Sequence, residues 1–219
     1  MQSIPLSARL KKRVHREVAF AQDVVVSEAF DAFPDTVLHG GTAIWRCYDG
    51  ARFSEDVDAY LPGYSEEAGR RFRRGLAAKG VKELKFKATS STIFGRFELG
   101  GAAVSFEGAL RQPPSRVVRG YETLGGGRMM VAVLPAEGLL AEKAATYLHR
   151  RKVRDLYDVF FLLEKAEIDQ AAAKSLQALS RGYEPPADAA QLKATILEGA
   201  VPTPEEMING VRRWARRYT

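Results

Sequence analysis

Residues 38–61 read LHGGTAIWRCYDGARFSEDVDAYL. Thr36 to His39 forms a short strand candidate, Gly40 and Gly41 a turn, and the run TAIWRCY a helix with Thr42 near its N-cap. Further on, EDVDAYL alternates strictly. Val57, Ala59 and Leu61 share one face, and Asp56, Asp58 and Tyr60 share the other, which is the period of a half-buried strand. Strand, glycine turn, helix and strand in succession predict an α/β (α+β) fold built on a mixed sheet.

Two carboxylates projecting together from one strand suit a hard divalent cation. Magnesium is typically held by one or two protein carboxylates, with substrate phosphates and water completing its shell. Taken alone, D-x-D is more often an ordinary polar strand edge, and a glycine pair before a helix is more often a plain tight turn. Their coincidence carries the inference. Glycines let the backbone approach phosphate oxygens, and the first turn of a helix offers unpaired N–H donors to them.

Outward from this segment, apolar residues Leu10, Val14, Val18 and Val25 predict an amphipathic helix over 7–31, ended by Asp31 and Pro34. After Pro62 and Gly63, Ser65 is placed to cap a basic helix running to about Lys79, and VKELKFKA reads as a strand. Strands are expected at 92–99 and 101–107 around Gly100 and Gly101, the second carrying a further acid, Glu107. The stretch RVVRGYETLGGGRMMVAVL predicts a hairpin about Gly125, Gly126 and Gly127. From Pro135 onward helix formers dominate, with helices expected over 136–150, 153–166, 168–181 and 204–217. Two domains follow: 1–133, the sheet with its N-terminal helix, and 134–219, mostly helical.

On the helix over 136–150, Lys143, Tyr147 and Arg150 fall at i, i+4 and i+7, making one side basic while Leu139, Leu140, Ala144 and Leu148 pack inward. In RDLYD, Asp155 and Asp158 share a helical face, with Arg151 four residues before Asp155 and available to pair with it.

The order of these motifs resembles the polymerase-β-like nucleotidyltransferases. More narrowly, LHGGTAIWRCYDGARFSEDVDAYL together with LPAEGLLAEKAATYLHRRKVRDLYDVFFLL is similar to the AbiEii/AbiGii toxin family of nucleotidyltransferases. The resemblance implies a nucleotidyltransferase core with Gly40, Gly41 and Thr42 at the phosphate-binding turn and Asp56 and Asp58 at a Mg²⁺ or Mn²⁺ ion, with Glu107 as the third acid. It implies Lys143 on the nucleotide phosphates, Asp155 in an orienting or proton-accepting role, and Asp158 as a weaker candidate. Arg52 and Ser54, just before D-x-D, are further nucleotide-binding candidates. The implied reaction moves a nucleoside monophosphate from an NTP to an acceptor, with RNA such as tRNA expected and a cognate antitoxin as partner.

Other classes are less well served. No apolar run approaches the roughly 18 residues of a membrane span, and the first residues lack the apolar stretch of a signal peptide, so a soluble cytoplasmic protein is expected. Cys47 is the single cysteine, and His15, His39 and His149 lie scattered rather than at metal-ligand spacing, which argues against zinc. A formal charge of +6 favours polyanionic partners. Basic clusters at Arg70, Arg71, Arg73 and Arg74 and at Arg212, Arg213, Arg216 and Arg217 are candidate RNA contacts, and equally solvated helix faces. Two alternatives keep the same core: a non-catalytic nucleic-acid or protein-binding module on a degenerate nucleotidyltransferase fold, and a small-molecule nucleotidyltransferase. The first has no need for both acids, the glycine pair and Lys143 together.

Overall fold

The computed structural model describes residues 5–218. The ends of both expected domains, residues 1–4 and 219, lie outside the described residues, as does the start of the segment read for a signal peptide. The chain divides into two compact units. One comprises residues up to Cys47 together with Phe53–Leu134, and the other comprises Tyr48–Arg52 together with the chain from Pro135 onward.

The first unit is a mixed sheet with helices, as the alternation around D-x-D predicts. Its strands are β1 (Val37–His39), β2 (Val57–Tyr60), β3 (Lys82–Ala88), β4 (Thr92–Leu99), β5 (Ala102–Ala109), β6 (Val117–Glu122) and β7 (Arg128–Val133). Among the described residues they form one seven-stranded sheet in the order β3-β4-β5-β2-β1-β7-β6. Pairings β2 with β5 and β1 with β7 are parallel, and the rest are antiparallel. The two-residue turn between β4 and β5 places Gly100 and Gly101 at φ 59° and 84°, a geometry that closes a tight hairpin and that other residues resist.

One face of this sheet is packed. Helix α2 (Arg13–Ala32) and helix α4 (Glu66–Ala78) lay Phe33 and Phe72 against Phe106 of β5, with ring centroids 6.4 and 5.2 Å apart, and Phe72 meets Phe97 of β4 edge-on at 5.6 Å. Each ring is almost fully buried, and each such burial contributes about 1.5–3 kcal/mol. Ser65 caps α4 as expected, accepting a 3.1 Å hydrogen bond from the Ala68 N–H.

The expected single N-terminal helix is two. A short α1 (Leu6–Arg9) stops at Leu10, whose φ −82°, ψ 97° is extended and whose carbonyl accepts from the Arg16 guanidinium at 2.7 Å. Leu10 is buried, but Val14, read as part of the apolar stripe, is 54% exposed. The buried stripe of α2 is Val18, Ala21, Gln22, Val25 and Ala29.

The second unit is helical: α5 (Ala136–Arg150), α6 (Val153–Leu162), α7 (Gln170–Gly182), a short α8 (Leu192–Thr195) not anticipated from sequence, and α9 (Pro204–Ala215). Helix α7 begins at Gln170 rather than 168 because the Asp169 carboxylate accepts from the Ala172 N–H at 2.7 Å. Thr203 and Glu206 form a reciprocal capping box with Pro204 at the first position of α9. The segment Tyr48–Arg52 joins this unit through an Arg52–Ile196 bridge and a 2.8 Å hydrogen bond from the Leu197 N–H to the Ala51 carbonyl.

Candidate active site

Strand β1 runs directly into helix α3 (Gly40–Cys47), with no intervening loop residue. Gly40 makes that junction at φ +71°. A side chain there is disfavoured twice. The left-handed conformation is costly for any residue with a Cβ, and a Cβ at Gly40 would lie 2.1 Å from Asp58 Oδ2. The first turn of α3 therefore lies against the Asp58 carboxylate.

Thr42 sits inside the helix rather than at its N-cap. Its hydroxyl is buried and donates to the Asp56 carbonyl at 2.5 Å, bracing the helix against the entrance to β2. Gln22 of α2, fully buried, adds three contacts from its amide nitrogen: the Ser54 carbonyl at 2.8 Å, the Glu55 carbonyl at 3.0 Å and Thr42 Oγ1 at 3.3 Å. Ser54 thus enters this arrangement through its backbone. The D-x-D entrance is held by one amide that sequence reading did not single out, because only the folded chain brings α2 beside residues 54–56.

Register places the acids. Asp58 is the direct partner of Glu107 across the parallel β2–β5 pair, and of His39 across the antiparallel β1–β2 pair. Glu107 in turn faces Phe94 on β4. His39, Asp58, Glu107 and Phe94 therefore stand in one row across four strands, on the face opposite Phe106, and they line a pocket of about 250 Å³ with Thr92 and Ile93. Asp56 precedes β2 by one residue, two positions from Asp58, and is half-buried. His39, read as one of three scattered histidines, belongs to this row. No spacing rule could find it, because its neighbours come from other strands. Its ring stacks on Tyr60 at 4.3 Å, and the Arg111 guanidinium sits 4.8 Å from the same Tyr60 ring.

The donor chemistry of Asp58 and Glu107, two carboxylates one strand spacing apart (about 4.8 Å), fits the partial protein shell magnesium takes. Among the described residues no group of three or more His, Cys, Asp or Glu is placed to hold a metal ion.

In the second unit a different arrangement holds the basic residues. Lys143 is not on an exposed basic face. It is buried, with its ammonium 3.2 Å from Asp155 Oδ1 and 2.8 Å from Asp158 Oδ2. Arg52 forms a bidentate pair with Asp158 at 2.7 and 2.8 Å, and Arg150 a bidentate pair with Asp155 at 2.7 and 2.9 Å. Arg151, expected to pair with Asp155, instead follows α5 at φ 51° and pairs with Glu184. Tyr147 is also buried and donates to the Glu184 carbonyl at 2.6 Å. Asp158 is thus a hub rather than a peripheral residue. Burial pushes its carboxyl upward, but Arg52 and Lys143 outweigh this and hold it below the usual carboxylate range.

A mixed sheet, a glycine junction on an aspartate and an acidic row are the features that nucleotidyl transfer calls for. The family model described as "Nucleotidyl transferase AbiEii toxin, Type IV TA system" matches residues 24–206, and the chain belongs to that family. Its fold is similar to that of JHP933 from Helicobacter pylori, at 22% identity and TM-score 0.62, covering 92% of this chain and 91% of that one. It is also similar to MenT4, the nucleotidyltransferase toxin Rv2826c of Mycobacterium tuberculosis H37Rv, at 18% identity and TM-score 0.60, covering 97% and 89%. No curated protein matches the chain.

Proposed function

We propose that this nucleotidyltransferase transfers a nucleoside monophosphate from an NTP to an RNA acceptor, tRNA being one candidate, in a Mg²⁺- or Mn²⁺-dependent reaction, and that it acts as the toxin partner of an antitoxin in the cytoplasm. The observation that carries the reading is the Asp58–Glu107 register pair beside the Gly40 turn. Asp58 and Glu107 would hold the ion as a pair, and Asp56, two positions before Asp58, is the proposed third carboxylate. Bound there, it would neutralise phosphate charge and lower the barrier to attack by an acceptor hydroxyl.

The protein's own groups supply the rest. The N–H groups of the first turn of α3, with Gly40 and Gly41 leaving the backbone bare, offer donors to nucleotide phosphates. Thr42 and Gln22 keep the Asp56–Asp58 segment in register with that turn. In the helical unit, Lys143 is the cation proposed for the phosphates. Asp155 and Asp158 orient it, and Arg52 acts through Asp158.

Incubation of the purified protein with each of the four α-labelled NTPs and Mg²⁺, against tRNA, other RNA or protein acceptors, tests this reading. Label entering RNA in a Mg²⁺-dependent way supports it. Label entering only a small molecule or protein overturns the RNA acceptor, and no label in any acceptor overturns the reaction.

A further inference from the structure

The acidic row does not end at Phe94. Lys87 of β3 is the register partner of Phe94, and the next row along the same face pairs Lys85 of β3 with Arg96 of β4 and Arg96 with Ser105 of β5. Lys85, Lys87 and Arg96 are exposed, Phe94 is half-buried, and the Lys85 ammonium lies 5.5 Å from the Phe94 ring centroid. None of these three cations has a carboxylate within ion-pair distance among the described residues. The arginines that the sequence singles out on α4 differ: Arg70 and Arg74 pair with Glu67, and Arg73 with Glu83. A charged edge strand is a common device against edge-to-edge pairing. That accounts for lysines on β3, but not for Arg96 on an interior strand nor for an aromatic ring on the same face.

We propose that this face, Phe94 with Lys85, Lys87 and Arg96, is the track that delivers the single-stranded 3′ end of the RNA acceptor to Asp58 and Glu107. The proposal rests on the nucleotide-transfer reading above and adds where the acceptor lies. Its direction follows from position. The Gly40 turn borders Asp58 on the β1 side of the row, so nucleotide phosphates belong there and the acceptor approaches from the other side, across β5, β4 and β3. Phe94 stands two strand steps, about 10 Å, from Asp58. An unpaired base stacking on its ring therefore leaves the terminal hydroxyl within reach of the acids. Ring stacking with flanking cations is how sequence-tolerant single-strand sites are built, and a base still paired in a duplex has no free π-face to offer.

Fluorescence anisotropy with a short unstructured RNA, and transfer kinetics with tRNA and labelled NTP, test this using the wild type, Phe94→Ala, Phe94→Trp and the triple variant Lys85→Ala/Lys87→Ala/Arg96→Ala. The three cations are exposed and Phe94 is half-buried, and circular dichroism checks that the fold is kept. Phe94→Ala should weaken RNA binding and raise the acceptor KM about 5- to 100-fold with the NTP KM unchanged, and Phe94→Trp should restore both. The triple variant should make the slope of log K against log salt shallower by about 2. Unchanged RNA affinity and acceptor KM in both alanine variants would overturn the track, as would equal competition by a blunt RNA duplex. Nucleotide transfer that ignores these substitutions overturns the track alone. Track-dependent RNA binding without transfer overturns the reaction alone.

Discussion

Gly40 and Asp58 are in contact across the β1–α3 junction, so closely that the space a Cβ would need at Gly40 is taken by the Asp58 carboxylate. Gly40→Ala must both strain a φ of +71° and displace that carboxylate. The strain alone costs about 1 kcal/mol, and the displacement moves the acid that the chemistry needs. Nucleotide transfer by Gly40→Ala should fall by at least about 10²-fold while the thermal midpoint drops only modestly. Near-wild-type kcat in a folded Gly40→Ala protein would show that the close approach is not needed for catalysis.

Asp58→Asn and Glu107→Gln keep shape and remove charge. Each should reduce transfer by about 10²-fold or more, without lowering thermal stability, and Mg²⁺ titration monitored by calorimetry in the presence of NTP should weaken in both. Retention of full Mg²⁺-dependent activity in Glu107→Gln would remove it from the set of metal ligands.

Gln22 acts at a distance from substrate, through the 54–56 backbone. Gln22→Leu should remove its bonds to the Ser54 and Glu55 carbonyls and lower kcat more than it raises the KM for NTP, with a stability loss of about 1–3 kcal/mol. A stability loss with unchanged kcat would make it a purely structural residue.

Asp158→Ala should be among the most destabilising single changes in the helical unit, at about 3–5 kcal/mol, because it strips Arg52 of its bidentate partner and leaves a buried guanidinium. The pH dependence has a defined sign. Asp158 binds its proton less readily folded than unfolded, so its contribution is complete above the ordinary carboxylate value near pH 4 and is lost as pH falls through the lower folded-state value. Chemical denaturation at pH 7 and pH 3 should show a loss in wild type that is smaller in Asp158→Asn. An identical pH slope in the two proteins would contradict the assignment.

What sequence could supply depended on range. The β4–β5 and β6–β7 hairpins were readable because glycines at 100–101 and 125–127 encode their turns locally, and D-x-D was readable because alternation is a property of one strand. Strand order was not, since β2 pairs with β5 and β1 with β7 across long stretches of chain. His39 escaped notice for the same reason: it joins Asp58 through register. The sequence marks Arg52 as a nucleotide-contact candidate and Asp158 as the lesser acid, and the fold joins the two in a bidentate pair. That relationship links positions 106 residues apart and leaves no local trace.

The five residues Tyr48–Arg52 belong to the helical unit, although the chain on either side of them belongs to the sheet. The C-terminal helices are therefore not a module appended to a finished catalytic core, to be exchanged by recombination at one junction. A chain shortened after Leu134 would keep Arg52 and Ala51 but lose Asp158, Ile196 and Leu197, removing the bidentate carboxylate and the backbone bond that hold the segment before D-x-D. Exchanging the helical unit for that of a relative therefore means exchanging Tyr48–Arg52 along with it.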